Sequence, residues 1–248
     1  PMKCHGHPHI ASVAMGVQHS CNPYFYHVFR KLLYDNDESN TYTASAYGLR
    51  RWHKWAEKFS MGDRLGVDLP SEFKGNVPDD EYYDKRYGKG KWKFSNIYSI
   101  SIGEGELLTN PIKLANLAAI IANRGYYYTP HIVAAIGDKE GEPLSQYLVK
   151  HETGIAREHF ETVIEGMKNA VVRGTVPAFA QLTSGIVSAG KTGTSQNPKG
   201  EDNSIFVAFA PVDDPKIAIA VIVEYSGFGG SHAAPIANLL MERYILRK

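Results

Sequence analysis

The sequence predicts an α+β fold in which an antiparallel sheet is covered by helices. Helical patterns occupy residues 9–62, three strand-like apolar runs lie close together between residues 185 and 225, and a last helical pattern closes the chain at 231–248. Strands that follow one another across short turns are typical of antiparallel pairing, and helices placed before and after them are typical of the α+β class.

The N-terminal part predicts three helices. Residues 9–20 carry apolar side chains at helical spacing, and Asn22 followed by Pro23 is typical of an N-cap with proline at the first helical position of a helix over 23–34. A third helix is predicted over 42–62, where Gly62 would end it.

The segment 63–95 changes character, because it is rich in glycine, proline and charge. Aromatic residues recur through it, so we expect a long surface excursion with one or two strands rather than disorder. Its aromatic residues would either form a platform for a glycan or peptide or pack beneath the loop. They are Tyr82, Tyr83, Tyr87, Trp92, Phe94 and Tyr98.

The remaining elements follow from the same patterns. Asn110-Pro111 begins a predicted helix that Gly125 ends, and residues 154–174 predict an amphipathic helix. The predicted strands are 126–136, before a turn from Gly137 to Gly141, and then 185–194, 204–211 and 216–225, the last two joined by the turn Pro211–Pro215.

Composition limits the classes of protein. The 248 residues are 43% hydrophobic and 21% charged with a formal net charge of +1, which suits one large globular domain or two small ones. The balanced charge lacks the basic signature of nucleic-acid binding, so we expect no nucleic-acid partner. No apolar run approaches the ~20 residues of a membrane span. The chain opens on Pro1, and we therefore expect it to be a fragment of a longer protein.

Two short motifs carry the chemistry. "SAGKTGTSQN" places Lys191 among hydroxyl side chains at the start of a predicted strand, which is what an anion-binding site requires. "SCN" places Ser20 and Asn22 at the junction of two predicted helices. Each motif alone is short enough to occur by chance.

Together and in this order, these elements resemble the S-x-N and K-T-G motifs of the serine acyltransferases that react with penicillin. Further segments, "GVDLPSEFKGNVPD", "SIGEGELLTNPIKLANLAAIIANRG" and "FVAFAPVDDPKIAIAVIVE", extend the resemblance over nearly the whole chain. The sequence is similar to the transpeptidase domain of class B high-molecular-weight penicillin-binding proteins, the elongation-type peptidoglycan D,D-transpeptidases above all. The resemblance implies the penicillin-binding-protein and serine β-lactamase-like fold, with a helical subdomain.

The resemblance also implies roles for individual residues. Ser20 would shuttle a proton towards the leaving amine, Asn22 would hydrogen-bond the substrate amide, and Lys191 would stabilise both Ser20 and the substrate carboxylate.

Three further residues would bind substrate by the same resemblance. The hydroxyls of Thr192 and Thr194 would hold the carboxylate, and the backbone N–H of Thr194 would lie in the oxyanion hole. Gly193 would allow the substrate backbone to lie along the strand edge.

The family carries its nucleophile in an S-x-x-K motif ahead of S-x-N, and residues 1–19 contain none. We therefore expect residues 1–248 to be a transpeptidase domain without its nucleophile-bearing helix, pedestal and membrane anchor, and to be inactive as a fragment. The match at Ser71–Lys74 is bracketed by Pro70 and Gly75, which leave no room for a helix, so a surface turn is predicted there.

Cysteine and histidine residues cluster before the first predicted helix. Cys4, His7 and Cys21 would supply thiolate and imidazole ligands to a structural zinc ion, with His5 and His9 nearby. The spacing fits no standard zinc motif, and a Cys4–Cys21 disulfide or ordinary surface histidines remain alternatives. No cofactor is expected for catalysis.

The resemblance implies that the parent cross-links D-Ala-D-Ala stem peptides on the periplasmic face of the bacterial inner membrane. It would be inhibited by β-lactams and would act beside a glycosyltransferase partner. The alternatives are a β-lactam sensor, a serine β-lactamase, for which no deacylating base is found, and a non-catalytic scaffold of the same fold.

Overall fold

The chain folds into helices and two antiparallel sheets, which confirms the predicted α+β class. This computed structural model describes residues 4, 6–137 and 144–247. Its elements in chain order are α1 (Val13–His19), α2 (Asn22–Tyr34), α3 (Thr41–Lys58), α4 (Asp80–Tyr87), α5 (Phe94–Ile97), α6 (Pro111–Ala122), β1 (Tyr126–Tyr128), β2 (Lys150–Glu152), α7 (Arg157–Arg173), β3 (Ala189–Ser195), β4 (Asn203–Ala210), β5 (Ile217–Val223) and α8 (Ala233–Leu246).

The described residues divide into two compact units. The first holds those of 1–10, 21–65 and 73–110, and the second holds 11–20, 66–72 and those of 111–248. The chain therefore passes from the second unit to the first between Ser20 and Cys21. No helix of the described part combines the length and the apolar character needed to cross a bilayer.

The first unit is the predicted helical subdomain, built from α2 to α5. Its core joins Phe29 and Leu33 of α2 to Leu49 of α3, and the rings of Tyr83 and Trp92 are buried in the same cluster. Tyr83, Trp92 and Phe94 are buried, which confirms packing beneath the segment for these three rings, whereas Tyr98 is 46% exposed.

Two boundaries in this unit differ from the sequence prediction. The N-cap of α2 is Cys21, not Asn22, because Cys21 is extended and its Sγ accepts the Tyr24 backbone N–H at 3.4 Å. Helix α3 ends at Lys58 rather than near Gly62, since Ser60 takes a left-handed backbone (φ 60°).

Segment 63–95 holds a helix where one or two strands were predicted. Asp79 caps α4 by accepting the Tyr82 backbone N–H at 2.7 Å. This local bond stabilises the start of the helix, although the helical pattern of the segment is weak. Ser71 lies in an exposed turn with φ 62°, which confirms that Ser71–Lys74 is a surface turn.

The second unit contains the predicted three-stranded sheet, in the order β3-β4-β5 with both pairings antiparallel. The core of this unit joins Val171 of α7, Phe206 and Ala208 of β4, and Ala237 and Met241 of α8. The strand predicted over 126–136 is only Tyr126–Tyr128, which pairs with the unpredicted β2. Most of the turn predicted from Gly137 to Gly141 lies outside the described residues.

Helices α1 and α7 of the second unit pack closely because α7 carries a glycine where they meet. A Cβ at Gly166 would lie 2.7 Å from both the Ala14 carbonyl oxygen and the Val17 Cβ. Distances this short exclude any side chain without a backbone shift. The position of α1, and of Ser20 at its C-terminal end, therefore depends on Gly166.

We expect Gly166→Ala to lower the free energy of unfolding by about 1–3 kcal/mol, because the added methyl group overpacks the α1–α7 contact. Chemical denaturation followed by circular dichroism measures the change. The matched control is Val172→Ala on the same helix, where the side chain is 55% exposed and the expected change is within about 0.5 kcal/mol. Equal stability of the two variants would show that the contact is not tight.

Candidate active site

Lys191 and Ser20 meet in the second unit although 171 positions separate them in the chain. The Lys191 Nζ donates to the Ser20 Oγ at 2.9 Å. Lys191 lies on β3, and Ser20 is the C-cap of α1. The structure thus brings together one residue from each of the two motifs.

The backbone of Ser20 takes a left-handed conformation, with φ 52° and ψ 46°. Its N–H reaches back to the carbonyls of Gly16 and Val17, which closes the end of α1. Glycine is the usual residue at such a position, since a Cβ adds steric cost there. The fold is therefore less stable with serine at this position than it would be with glycine. The polar group that serine contributes and glycine lacks is the hydroxyl.

The Lys191 ammonium is partly removed from water and bonded to two oxygens. A second hydrogen bond, 2.7 Å long, runs from its Nζ to the backbone carbonyl of Thr192. Desolvation of the charged form lowers the pKa of Lys191 from an ordinary value of 10.5 to about 8. The amine therefore changes charge near neutral pH, which suits a group that exchanges protons or binds an anion.

The rest of β3 supplies hydroxyls and a bare backbone. The Thr192 Oγ1 donates to the Thr175 Oγ1 at 2.8 Å, and Thr194 is half-buried further along the strand. Gly193 pairs with Ile205 of β4, and a Cβ at Gly193 would lie 3.3 Å from the Ile205 Cβ. Among the described strands, only β4 pairs with β3, so the other edge of β3 has no described strand beside it.

Two further residues concern the site. Asn22 is the first residue of α2, half-buried in the first unit, and its predicted contact with the substrate amide stays a prediction. Thr175 was missed by the sequence reasoning. It lies in the loop after α7, where the local sequence "RGTVP" shows only a helix end.

Three of the predicted metal ligands come together in the first unit. Cys4 Sγ, one ring nitrogen of His7 and Cys21 Sγ all lie within 4.8 Å of one another. Both cysteines are free thiols, so the alternative disulfide is not formed. His9 is exposed and not a member of this group, and His5 lies outside the described residues.

The hydrogen bond made by His7 Nδ1 determines the role of His7 Nε2. His7 Nδ1 lies 2.8 Å from the Pro8 carbonyl, to which it donates, and this leaves Nε2 facing Cys4 Sγ at 2.9 Å. The bond to Pro8 raises the pKa of His7. Burial raises the pKa of Cys21, whereas for Cys4 the hydrogen bonds, that with His7 first, outweigh burial and lower the pKa.

Comparison with known proteins identifies the family. Residues 3–242 match the family described as "Penicillin binding protein transpeptidase domain". The chain therefore belongs to the penicillin-binding-protein transpeptidase family, which confirms the class B resemblance.

Curated relatives are similar over most of this chain. It is 32% identical over 231 residues to the peptidoglycan D,D-transpeptidase MrdA of Haemophilus influenzae, covering 84% of this chain and 35% of that protein. The corresponding protein of Acinetobacter baumannii is also 32% identical, over 92% of this chain and 34% of its own length. The chain thus spans about a third of these relatives.

Solved structures share the fold. The crystal structure of Pseudomonas aeruginosa PBP2 in complex with WCK 5153 has a TM-score of 0.79 and 28% identity, covering 95% of this chain and 48% of that one. Helicobacter pylori PBP2 in a complex with MreC has a TM-score of 0.71 and 23% identity, over 95% of this chain and 40% of that one, and supports the fold alone.

The depressed pKa of Lys191 predicts a pH-dependent stability. Between about pH 8 and 10.5 the unfolded chain binds more protons at this lysine than the folded chain, so its contribution to the free energy of unfolding rises with pH. Wild type should therefore gain stability relative to Lys191→Met across this window. Urea unfolding at pH 7 to 10.5 measures the difference.

The control for this measurement is Lys216→Met, since the Lys216 side chain is 55% exposed and pairs with Asp214. Its difference from wild type should not rise with pH in the same way. Parallel profiles for the two variants would mean that Lys191 keeps an ordinary pKa.

Proposed function

We propose that this chain is part of a peptidoglycan D,D-transpeptidase, and that Lys191, Ser20 and β3 form the wall that binds the D-Ala carboxylate of a stem peptide. The observation that carries the proposal is the 2.9 Å contact between the Lys191 Nζ and the Ser20 Oγ in a chain of this family. At this distance the cation can neutralise a carboxylate and the hydroxyl can pass a proton.

The reaction would proceed in two balanced steps. A serine nucleophile attacks the carbonyl of the penultimate D-Ala, forming an ester and breaking the bond to the terminal D-Ala. The leaving amine takes a proton from the Ser20 hydroxyl, and the proton lost by the nucleophilic serine passes to the Ser20 oxygen. An acceptor amine then attacks the ester, the ester bond breaks, and the proton of the amine passes through Ser20 to the nucleophilic serine oxygen, which restores the serine and forms the cross-link. The Lys191 ammonium would donate a hydrogen bond to the Ser20 oxygen in both steps.

The β3 residues would bind and orient the donor. The Thr192 and Thr194 hydroxyls would donate to the carboxylate, and the Thr194 N–H would stabilise the oxyanion. The bare backbone of Gly193 allows an extended peptide to approach the strand, so the substrate would add along β3. Asn22 would hold the substrate amide.

We assign the nucleophilic serine to sequence outside these residues. The chain spans 35% of the Haemophilus influenzae relative, and no S-x-x-K motif precedes Ser20. On this proposal residues 1–248 are inactive alone, and the full-length protein would act at the periplasmic face of the inner membrane. A glycosyltransferase partner is proposed from a fold relative described as a peptidoglycan synthase complex, with a TM-score of 0.77.

Labelling of the full-length protein with a fluorescent penicillin tests this function. Wild type should form a covalent adduct, and Ser20→Gly should slow its formation by about 100-fold or more, because the proton shuttle is lost. Ser20→Gly should fold normally, since glycine suits the left-handed backbone there.

Lys191→Ala should slow labelling to a similar extent, while the matched control Lys216→Ala on the exposed β4–β5 turn should label like wild type. Absence of any adduct on the wild-type protein would contradict the transpeptidase function and would favour the scaffold. Rapid release of the adduct would instead indicate a β-lactamase.

We also propose that Cys4, His7 and Cys21 hold a structural zinc ion. Their donor atoms lie within 4.8 Å of one another, as the ligands of one ion must, and thiolate and imidazole are the ligands that zinc prefers. Cys21 directly follows Ser20 in the chain, so the ion would restrain the start of α2. The ion would stabilise the fold and take no part in the reaction.

Elemental analysis of the purified protein tests the zinc site. We expect about one zinc per chain in wild type and loss of most of it in Cys21→Ser and His7→Ala, with lowered Tm in both. The control is His159→Ala, because His159 is exposed on α7 of the other unit. Wild-type protein without zinc, with both thiols open to alkylation, would contradict the proposal.

A further inference from the structure

We propose that Thr175 is a positioning residue that orients the Thr192 hydroxyl towards the substrate carboxylate. This inference rests on the proposed function and deepens it, since it adds a residue from neither motif. Thr175 lies in the loop that follows α7, sixteen positions before Lys191 in the sequence. Its side chain would not touch substrate and would act through Thr192.

The direct observation is the contact between two hydroxyls. The Thr192 Oγ1 and the Thr175 Oγ1 are 2.8 Å apart, a full hydrogen bond. A threonine on a strand has more than one favourable side-chain rotamer, and this bond selects one of them. The chosen rotamer fixes the position of the Thr192 hydroxyl on β3, the strand that also carries Lys191.

The backbone around Thr175 is held on both sides. A Cβ at Gly174 would lie 2.6 Å from the Gln18 carbonyl oxygen, so the loop lies directly against the last turn of α1. A Cβ at Gly230 would lie 2.8 Å from the Thr175 carbonyl oxygen, and the Val176 N–H bonds the Ala170 carbonyl at 3.1 Å. The Thr175 hydroxyl is thus presented from a fixed backbone.

The same loop therefore contacts both parts of the site. Gln18, which Gly174 touches, is two residues before Ser20, and Thr192, which Thr175 touches, is next to Lys191. A displacement of this loop would move the hydroxyl of Thr192 relative to the Ser20–Lys191 pair. This geometry explains how a residue outside both motifs affects the site.

The hydroxyl pair also suits an incoming anion. Hydroxyl protons rotate to suit their partners, so a bound carboxylate would draw the Thr192 proton towards itself. Thr175 would then donate to Thr192, and the two hydroxyls would point in one direction, which strengthens both bonds. A residue at 175 needs a hydroxyl for this, and serine would serve as well as threonine.

The test uses the full-length protein and the rate of acylation by a fluorescent penicillin. Thr175→Val should lower the second-order rate about tenfold, the loss expected for one hydrogen bond, and Thr175→Ala should do the same. Thr175→Ser should stay within about twofold of wild type. The loss should raise the half-saturating penicillin concentration and leave the limiting acylation rate nearly unchanged, because the bond acts on carboxylate binding.

A double-mutant cycle separates positioning from a structural effect. In a Thr192→Val background, Thr175→Val should have almost no further effect, since its partner is already absent. The matched control is Thr183→Val, whose hydroxyl bonds Glu242 on the same unit and which should acylate like wild type. The Tm of each variant is measured beside the rate.

Each outcome separates the two proposals. Normal acylation by Thr175→Val and Thr175→Ala, or losses that add in the cycle, would overturn the role of Thr175 and leave the transpeptidase function intact. No adduct on wild type would overturn the function and the role of Thr175 with it.

Discussion

The desolvated amine of Lys191 is the constraint on which the site of the second unit depends. A charged amine away from water is costly unless hydrogen-bond acceptors lie close to it. Here the Ser20 Oγ lies at 2.9 Å and the Thr192 carbonyl at 2.7 Å. One acceptor comes from the strand itself, but the other comes from a helix end 171 positions away, so the packing of that helix decides whether the amine is stabilised.

Helix α7 and the loop after it position the groups around Lys191. Gly166 allows α1 to approach closely, and Gly174 sets the following loop against the carbonyl of Gln18. The loop then offers the Thr175 hydroxyl to Thr192. Small residues on one helix thereby place groups from a helix end, a loop and a strand at distances suited to proton transfer and anion binding. Function in this unit therefore depends on backbone packing as much as on the two motifs.

Sequence patterns predicted the three strands, the flanking helices and the place of Lys191 on β3, because long apolar runs and short turns determine them locally. Patterns could not predict the Cys21 cap of α2, since cysteine rarely caps a helix, or α4, whose start rests on one Asp79 bond. Thr175 could not be predicted for another reason, because its partner Thr192 is distant in the chain. The Cys4, His7 and Cys21 group was predicted from residue type, and its assembly needed the fold.

The most direct measurement is a crystal structure of the full-length protein acylated by a penicillin. We expect the penicillin carboxylate to lie within hydrogen-bond distance of the Thr192 or Thr194 hydroxyl and near the Lys191 ammonium, with Ser20 still bonded to Lys191. A carboxylate bound elsewhere, with the β3 hydroxyls facing solvent, would contradict the role of Lys191 and β3 in carboxylate binding.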